Sequence, residues 1–189
     1  MLGLQMAVIV SLLRSVNVGG NHKIKMHALR ALYQTLKLRD AQTCVQSGNV
    51  VFRTEEPDLV LLAARIERAI ERNFGFHAAV MVRNTSQLRD VVRRNPFSSR
   101  RGIDPARLVV IFLAADPGRE IRETLGRMKI NPEELSIEGR ELYIYFPNGM
   151  GRSKLPALID KTLSKSGTAR NWNTVTKLLE VAESLEATP

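Results

Sequence analysis

The sequence predicts an α+β fold made by tandem duplication of two ferredoxin-like βαββαβ units, each followed by an extra helix. Three observations carry this. Segments of the 189-residue chain recur: Ala7–Leu13 matches Leu108–Ala114, Ser47–Phe52 matches Glu138–Phe146, and Arg83–Leu88 matches Arg170–Leu178. The offset is roughly 90 residues, and such self-similarity takes precedence over any local pattern. Within each copy, short apolar runs and helical stripes alternate in the order βαββαβ. A Gly-containing turn, Ser47-Gly48 or Glu138-Gly139-Arg140, separates the middle pair of strands in each copy.

The elements follow in order. Ala7–Leu13 is a continuous apolar run, as expected of a strand buried on both faces. Met26, Leu29, Leu32, Tyr33 and Leu36 fall at helical spacing and predict a helix over 25–38. Strands are expected at 42–46 and 49–53. Pro57 opens a helix that Gly75 ends, with Leu59, Leu62, Ile66 and Ile70 on one face. A strand over 78–82 leads into a short helix capped by Thr85 or Ser86, which stops before Asn95-Pro96. The second copy predicts strands at 108–113, 135–137, 141–146 and 168–170. Its helices are expected at 121–128, 155–163 and 175–185. The halves are expected at 1–94 and 107–189, joined by a connector over 95–106, or packed as one compact unit. The two central strands of each sheet are expected to be parallel neighbours, with their C-terminal ends and ligand-binding loops at one edge.

Composition narrows the functional classes. With 44% hydrophobic and 25% charged residues the chain is globular, and no apolar run reaches the roughly 18 residues of a membrane span. The apolar stretch 1–13 lacks a basic leader and a cleavage site, so it is expected to be a strand and not a signal peptide. A single cysteine excludes an intramolecular disulfide and makes the cytoplasm the default compartment. The net charge of +9 is uneven. Residues 1–54 hold 7 basic side chains to 1 acidic, and residues 83–107 hold 7 to 2, whereas 108–189 balance at 11 and 11. Such basic segments attract phosphate-rich partners.

Two loops differ between the copies, and here duplication acts as an internal control. Asn17-Val-Gly-Gly-Asn-His-Lys23 is Gly-rich and basic, while its counterpart Ala115–Arg119 is a plain turn. Asn148-Gly-Met-Gly-Arg-Ser-Lys154 is again Gly-rich and basic, while Thr54–Pro57 is acidic. Each precedes a helix, whose free N–H groups and dipole favour an anion. Neither is a Walker loop, since Arg152 stands where the lysine belongs. The expected ligand-binding set is therefore Arg14, Asn17, Gly19, Gly20, Asn21 and Lys23 from the first loop with Gln46, Ser47 and Asn49 beside it. The second loop contributes Asn148, Gly149, Gly151, Arg152, Ser153 and Lys154, and the last strand–helix junction adds Arg170, Asn171, Trp172 and Asn173. Turn formation and helix capping by Ser153 are the competing structural explanation.

Several of these stretches resemble the signature of a bacterial family, domain of unknown function 1697. They are Leu13–Met26, Gln46–Phe52, Asn95–Phe97, Tyr145–Lys154 and Arg170–Thr174. The resemblance implies a fold of two ferredoxin-like units and implies no activity. Ser15 and His22 stand where glycine and asparagine are usual in that pattern.

No catalytic set can be assigned. His22, His27 and His77 have neither the spacing nor the companions of a metal site, so no metal and no cofactor are expected. Cys44 reads as a small buried residue. Tyr143 and Tyr145 share a strand face, but the apolar strands around them predict a covered sheet and not a base-stacking platform. Three classes remain. The first is a module binding a phosphate-bearing, nucleotide-like small molecule between the two loops. The second is a nucleic-acid binder using Arg89, Arg93, Arg94, Arg100 and Arg101. The third is a protein-interaction or structural module without a ligand. The oligomeric state has no signature in the sequence.

Overall fold

Six consecutive residues of β1 (Ala7–Leu13), from Val8 to Leu13, are buried. A strand with apolar groups on both sides requires a sheet covered on both faces, and the rest of the chain supplies that cover. The computed structural model describes residues 6–20, 22–45, 48–128 and 130–188. It is α+β, with two four-stranded antiparallel sheets and six α-helices among the described residues. No described helix is long and apolar enough to cross a membrane.

The elements of the first copy are β1, α1 (Met26–Thr35), β2 (Arg39–Thr43), β3 (Asn49–Thr54), α2 (Leu59–Phe74), β4 (Val80–Asn84) and α3 (Thr85–Arg93). The second copy repeats them as β5 (Leu108–Leu113), α4 (Gly118–Gly126), β6 (Glu134–Glu138), β7 (Glu141–Tyr145), α5 (Leu155–Thr162), β8 (Gly167–Asn171) and α6 (Trp172–Ala187). Strand orders are β2-β3-β1-β4 and β6-β7-β5-β8. Register makes the equivalence residue by residue: Val10 pairs with Val51 and Arg83, as Val110 pairs with Tyr143 and Arg170.

All these pairings are antiparallel, which corrects the expected parallel central pair. The reason lies in the connections. A crossover helix returns the chain so that β2 runs as β1 does, and the hairpin then reverses β3. The first Gly-rich loop therefore leaves the edge of its sheet where β1 ends, beside Asn49, which pairs with Leu12. The second leaves the edge where β5 begins, since Leu108 pairs with Tyr145. The two loops do not occupy equivalent edges.

By contacts the chain divides into one unit of Met1–Asp90 with Lys177–Pro189 and another of Val91–Thr176. The same element order nonetheless recurs along the chain, β1 to α3 and then β5 to α6. In the first unit one sheet face buries Ile9, Leu13, Val50 and Phe52 against α1 and α2. Ser11, fully buried in the middle of β1, shares a 2.8 Å hydrogen bond with the Tyr33 hydroxyl on α1. Burial pushes the Tyr33 hydroxyl well above the usual phenol range, more than the Ser11 bond lowers it. The terminal part of α6 completes this unit, with Leu178, Ala182 and Leu185 buried along one stripe. Arg53 of β3 donates to the carbonyls of Leu185 (2.7 Å) and Thr188, and Arg89 bonds Glu183 and Glu186 at 2.6 and 2.8 Å.

In the second unit Val109, Leu113, Leu142, Ile144 and Phe146 pack with Leu125, Leu155 and Ile159. The other face carries Tyr143, whose hydroxyl donates to Val91 O at 2.7 Å, and Tyr145, whose ring meets Phe97. Both tyrosines are buried, so that face is covered as expected. A short 3₁₀ turn, Pro105–Arg107, ends the connector.

Element existence follows the sequence closely and boundaries shift. β4 starts at Val80 and not at 78, α6 starts at Trp172 and not at 175, and β2 covers 39–43 and not 42–46. The cap of α3 is Asn84, not Thr85 or Ser86: Asn84 and Gln87 exchange hydrogen bonds between side chains and backbone N–H groups, a capping box.

Two glycines are required by space. A Cβ on Gly48 (φ +68°) would lie 2.9 Å from Leu13 Cβ and 3.1 Å from Val16 Cβ. One on Gly167 would lie 2.6 Å from Ile111 Cγ2. At Gly20 (φ +81°) no atom lies within 4 Å of that position, so only backbone strain opposes a side chain. Gly48→Ala and Gly167→Ala are each expected to destabilise by about 1–3 kcal/mol through overpacking, and Gly48→Ala also carries αL strain of about 1–2 kcal/mol. Gly20→Ala is expected to cost only that strain. Urea unfolding midpoints of the three variants check the order.

Candidate functional site

The N-termini of the helices sort the candidate loops. An unsatisfied first turn is an anion site unless the chain fills it. Asp58 accepts from Val60 and Leu61 N–H at α2. Asn84 serves α3, and Asp116 accepts from Gly118 N–H (2.8 Å) at α4. Ser153 Oγ accepts from Leu155 N–H (3.1 Å) at α5, and Asn171 accepts from Asn173 N–H (3.0 Å) at α6. At α1 the N-cap is Lys25, with no side-chain hydrogen bond and no acidic residue in the first turn. The N-cap residues of α4 and α5, Pro117 and Lys154, make no side-chain hydrogen bond either, but there the preceding Asp116 and Ser153 accept from the first turn.

The surroundings of that helix end are cationic. A recess of about 760 Å³ in the first unit is lined by Asn17, Gly20, Lys23, Ile24, Lys25, Met26, His27 and Arg30. No carboxylate is among them. The loop is held from within: Asn17 Nδ2 donates to Ile24 O (3.0 Å), Ile24 N–H donates to Asn17 Oδ1 (2.9 Å), and Asn17 N–H donates to His22 O (3.2 Å). Asn17 thus braces the loop. Gly19 and Gly20, at φ +62° and +81°, take left-handed conformations in open space. Arg14 is half-buried at the strand end, where its N–H donates to Ala79 O. Asn49 is buried and donates to Cys44 O (3.0 Å), closing the hairpin. Asn21, Gln46 and Ser47 lie outside the described residues. His22 stacks on Phe76, ring centroids 4.3 Å apart and 9° from parallel.

The second loop is filled differently. Gly149 N–H closes a turn on Phe146 O (2.9 Å). Ser153 Oγ donates to Glu133 Oε1 at 2.5 Å, so a carboxylate of the chain itself stands at the start of α5. The Ser153 hydrogen bond holds the Glu133 carboxyl below the usual glutamate range. Asn148, Gly151, Arg152 and Lys154 are exposed. A smaller cavity of about 190 Å³ brings Gly149 and Met150 together with Arg170 and Asn171. Arg170 is 8% exposed and donates to Thr168 Oγ1 and Ala169 O, and burial lowers its pKa to about 10. Its register equivalent Arg83 is 1% exposed and donates to Val82 O. A buried arginine followed by a capping asparagine is therefore present in both copies. Trp172 is half-buried in the first turn of α6, and Asn173 is exposed there.

Two arginines of the basic connector reading are engaged within the fold. Arg89 bonds Glu183 and Glu186, while Arg100 bonds Glu134 at 2.6 Å and lies over the Tyr145 ring. Arg93, Arg94 and Arg101 lie at the end of α3 and in the connector. Burial raises the pKa of the half-buried Cys44 thiol, more than nearby Lys177 lowers it. Among the described residues no group of three His, Cys, Asp or Glu side chains could hold a metal ion.

Because the Glu133 pKa is depressed when folded, its stabilising bond is present above the unfolded value and is lost as pH falls through the folded one. Ser153→Ala is expected to raise the Glu133 pKa toward the ordinary glutamate range. NMR titration of the carboxyl carbon checks this.

Comparisons with known proteins agree with this architecture. A search of curated proteins gives no match. A solved structure, described as that of conserved bacterial protein SP0830 from Streptococcus pneumoniae, is similar over 95% of this chain and 99% of that one. The TM-score is 0.75 and the identity 21%, so the likeness concerns the fold. The sequence model of a family described as protein of unknown function (DUF1697) matches residues 6–143. That match spans most of the sequence, and the chain belongs to the DUF1697 family.

Proposed function

We propose that this protein is a duplicated ferredoxin-like module whose first unit binds the phosphate of a small ligand in the recess at the start of α1. The element order and the strand orders β2-β3-β1-β4 and β6-β7-β5-β8 support the fold. One observation carries the function: α1 begins without a side-chain acceptor, while Lys23, Lys25, His27 and Arg30 surround it. Free N–H groups, the helix dipole and these cations all favour a doubly charged anion. The second loop supports the same chemistry less, since Glu133 already stands at its helix. The ion pairs of Arg89 and Arg100 likewise leave the nucleic-acid reading without a specific observation in its favour.

Calorimetric titration with pyrophosphate tests this. Saturable binding that weakens with salt is expected. The double variant Lys23→Ala/Arg30→Ala should bind at least about tenfold more weakly, the loss of two charge-assisted contacts. Arg152→Ala should bind as the unaltered chain does. No saturable binding, or equal loss with Arg152→Ala, would reject the reading.

A further inference from the structure

A sheet edge presents a row of unpaired N–H and C=O groups and accepts another strand unless something obstructs it. At the β2 edge the register on β3 shifts between Arg39 and Gln42, and Asp40 there takes φ +53°. At the β4 edge Val80 N–H donates to Glu67 Oε1 of α2 at 2.8 Å. β6, the counterpart of β2, has neither device. It is the outermost strand of its sheet and pairs with β7 without interruption, from Glu134 opposite Tyr145 to Glu138 opposite Glu141. Among the described residues no backbone hydrogen bond besides those to β7 reaches it. Alternate residues of such a strand turn their N–H and C=O groups outward.

The side chains specify what pairs there. Leu135 and Ile137 pack on the core of the second unit and are only partly buried. Glu134, Ser136 and Glu138 alternate with them on the opposite face. Arg100 bonds Glu134 at 2.6 Å, but the two side chains are 49% and 40% exposed, so the pair is weak and a further cation can share the carboxylate. Among the described residues Glu138 receives only the Ser136 hydroxyl, at 3.5 Å. A second copy of the chain is the wrong occupant. Antiparallel pairing of β6 with itself about Ser136 sets Glu134 opposite Glu138, and like charges directly opposite destabilise a sheet. We propose that β6 is a docking edge for an extended segment of another protein in which basic and apolar residues alternate. The cations meet Glu134 and Glu138, and the apolar residues extend the face of Leu135 and Ile137. Main-chain bonds supply the affinity of such strand addition and the alternate side chains its specificity. This surface is independent of the anion recess in the first unit.

The probe is the peptide acetyl-Lys-Val-Lys-Val-Lys-amide, titrated into the full isotope-labelled chain and followed by NMR. Saturable binding is expected, with gained hydrogen-exchange protection at β6 amides. The fully N-methylated peptide keeps its charge but loses every strand donor, and acetyl-Glu-Val-Glu-Val-Glu-amide keeps the donors but reverses the charge. Each should bind at least about tenfold more weakly. Glu138→Lys should weaken binding of the Lys-Val peptide about tenfold as well, with its urea unfolding midpoint confirming that it folds. No saturable binding, equal binding of either control peptide, or protection gained away from β6 overturns the proposal. Sedimentation of the chain alone tests the other occupant. A dimer that protects the same β6 amides assigns the edge to a second copy and likewise overturns it.

Discussion

Burial of both sheet faces is the constraint on which the rest of this structure depends. β1 is buried from Val8 to Leu13, and neither copy of βαββαβ can close both sides of its own sheet with two helices on one face. Each unit therefore needs one more cover. In the first unit the terminal part of α6 is tied on by the Arg53 and Arg89 contacts, and its Leu178, Ala182 and Leu185 are buried. In the second it is the segment after Val91, fixed by the Tyr143 hydroxyl and by Phe97 against Tyr145. The segments that follow the repeats supply cover because apolar strands demand it, and the capping of their helices follows from the same need to satisfy backbone groups near the core.

The repeated element order separates what the fold needs from what it does not. Arg83 and Arg170 share a register position, are both buried, and both bond neighbouring backbone carbonyls. Asn84 and Asn171 both start a helix. Residues that look like a polar site when one copy is read alone are the repeated joint of the architecture. The start of α1 has no such counterpart. There no side chain like the Asp116 that precedes α4 accepts from the first turn, the loop is braced by Asn17, and cations line the recess. The function proposed for the first unit comes from that asymmetry.

Much of this was legible in the sequence. Apolar patterning and turn residues locate the eight strands and six α-helices described, though not the short 3₁₀ turn Pro105–Arg107, and the Gly75 stop falls where a left-handed residue ends α2. Strand direction differs from the expected parallel pair although the connections contain it: one crossover followed by one hairpin makes the central pair antiparallel. The unit boundaries were not legible, because a helical stripe such as Leu178, Ala182 and Leu185 shows that it needs a sheet but not which one. The occupant of the second loop was hidden for a similar reason. Glu133 lies 20 residues before Ser153, and no local pattern links them. The stack of His22 on Phe76 has no signature in the sequence, since it joins residues far apart in the chain.

Native-state hydrogen exchange on Leu178→Ala tests the two-face account most directly. Leu178 is fully buried and belongs to the first unit, and removing its side chain leaves a cavity worth about 2–5 kcal/mol. The account predicts that amides of β1 and β3 lose more protection than those of β5 and β7. An equal or larger loss in β5 and β7 would contradict it.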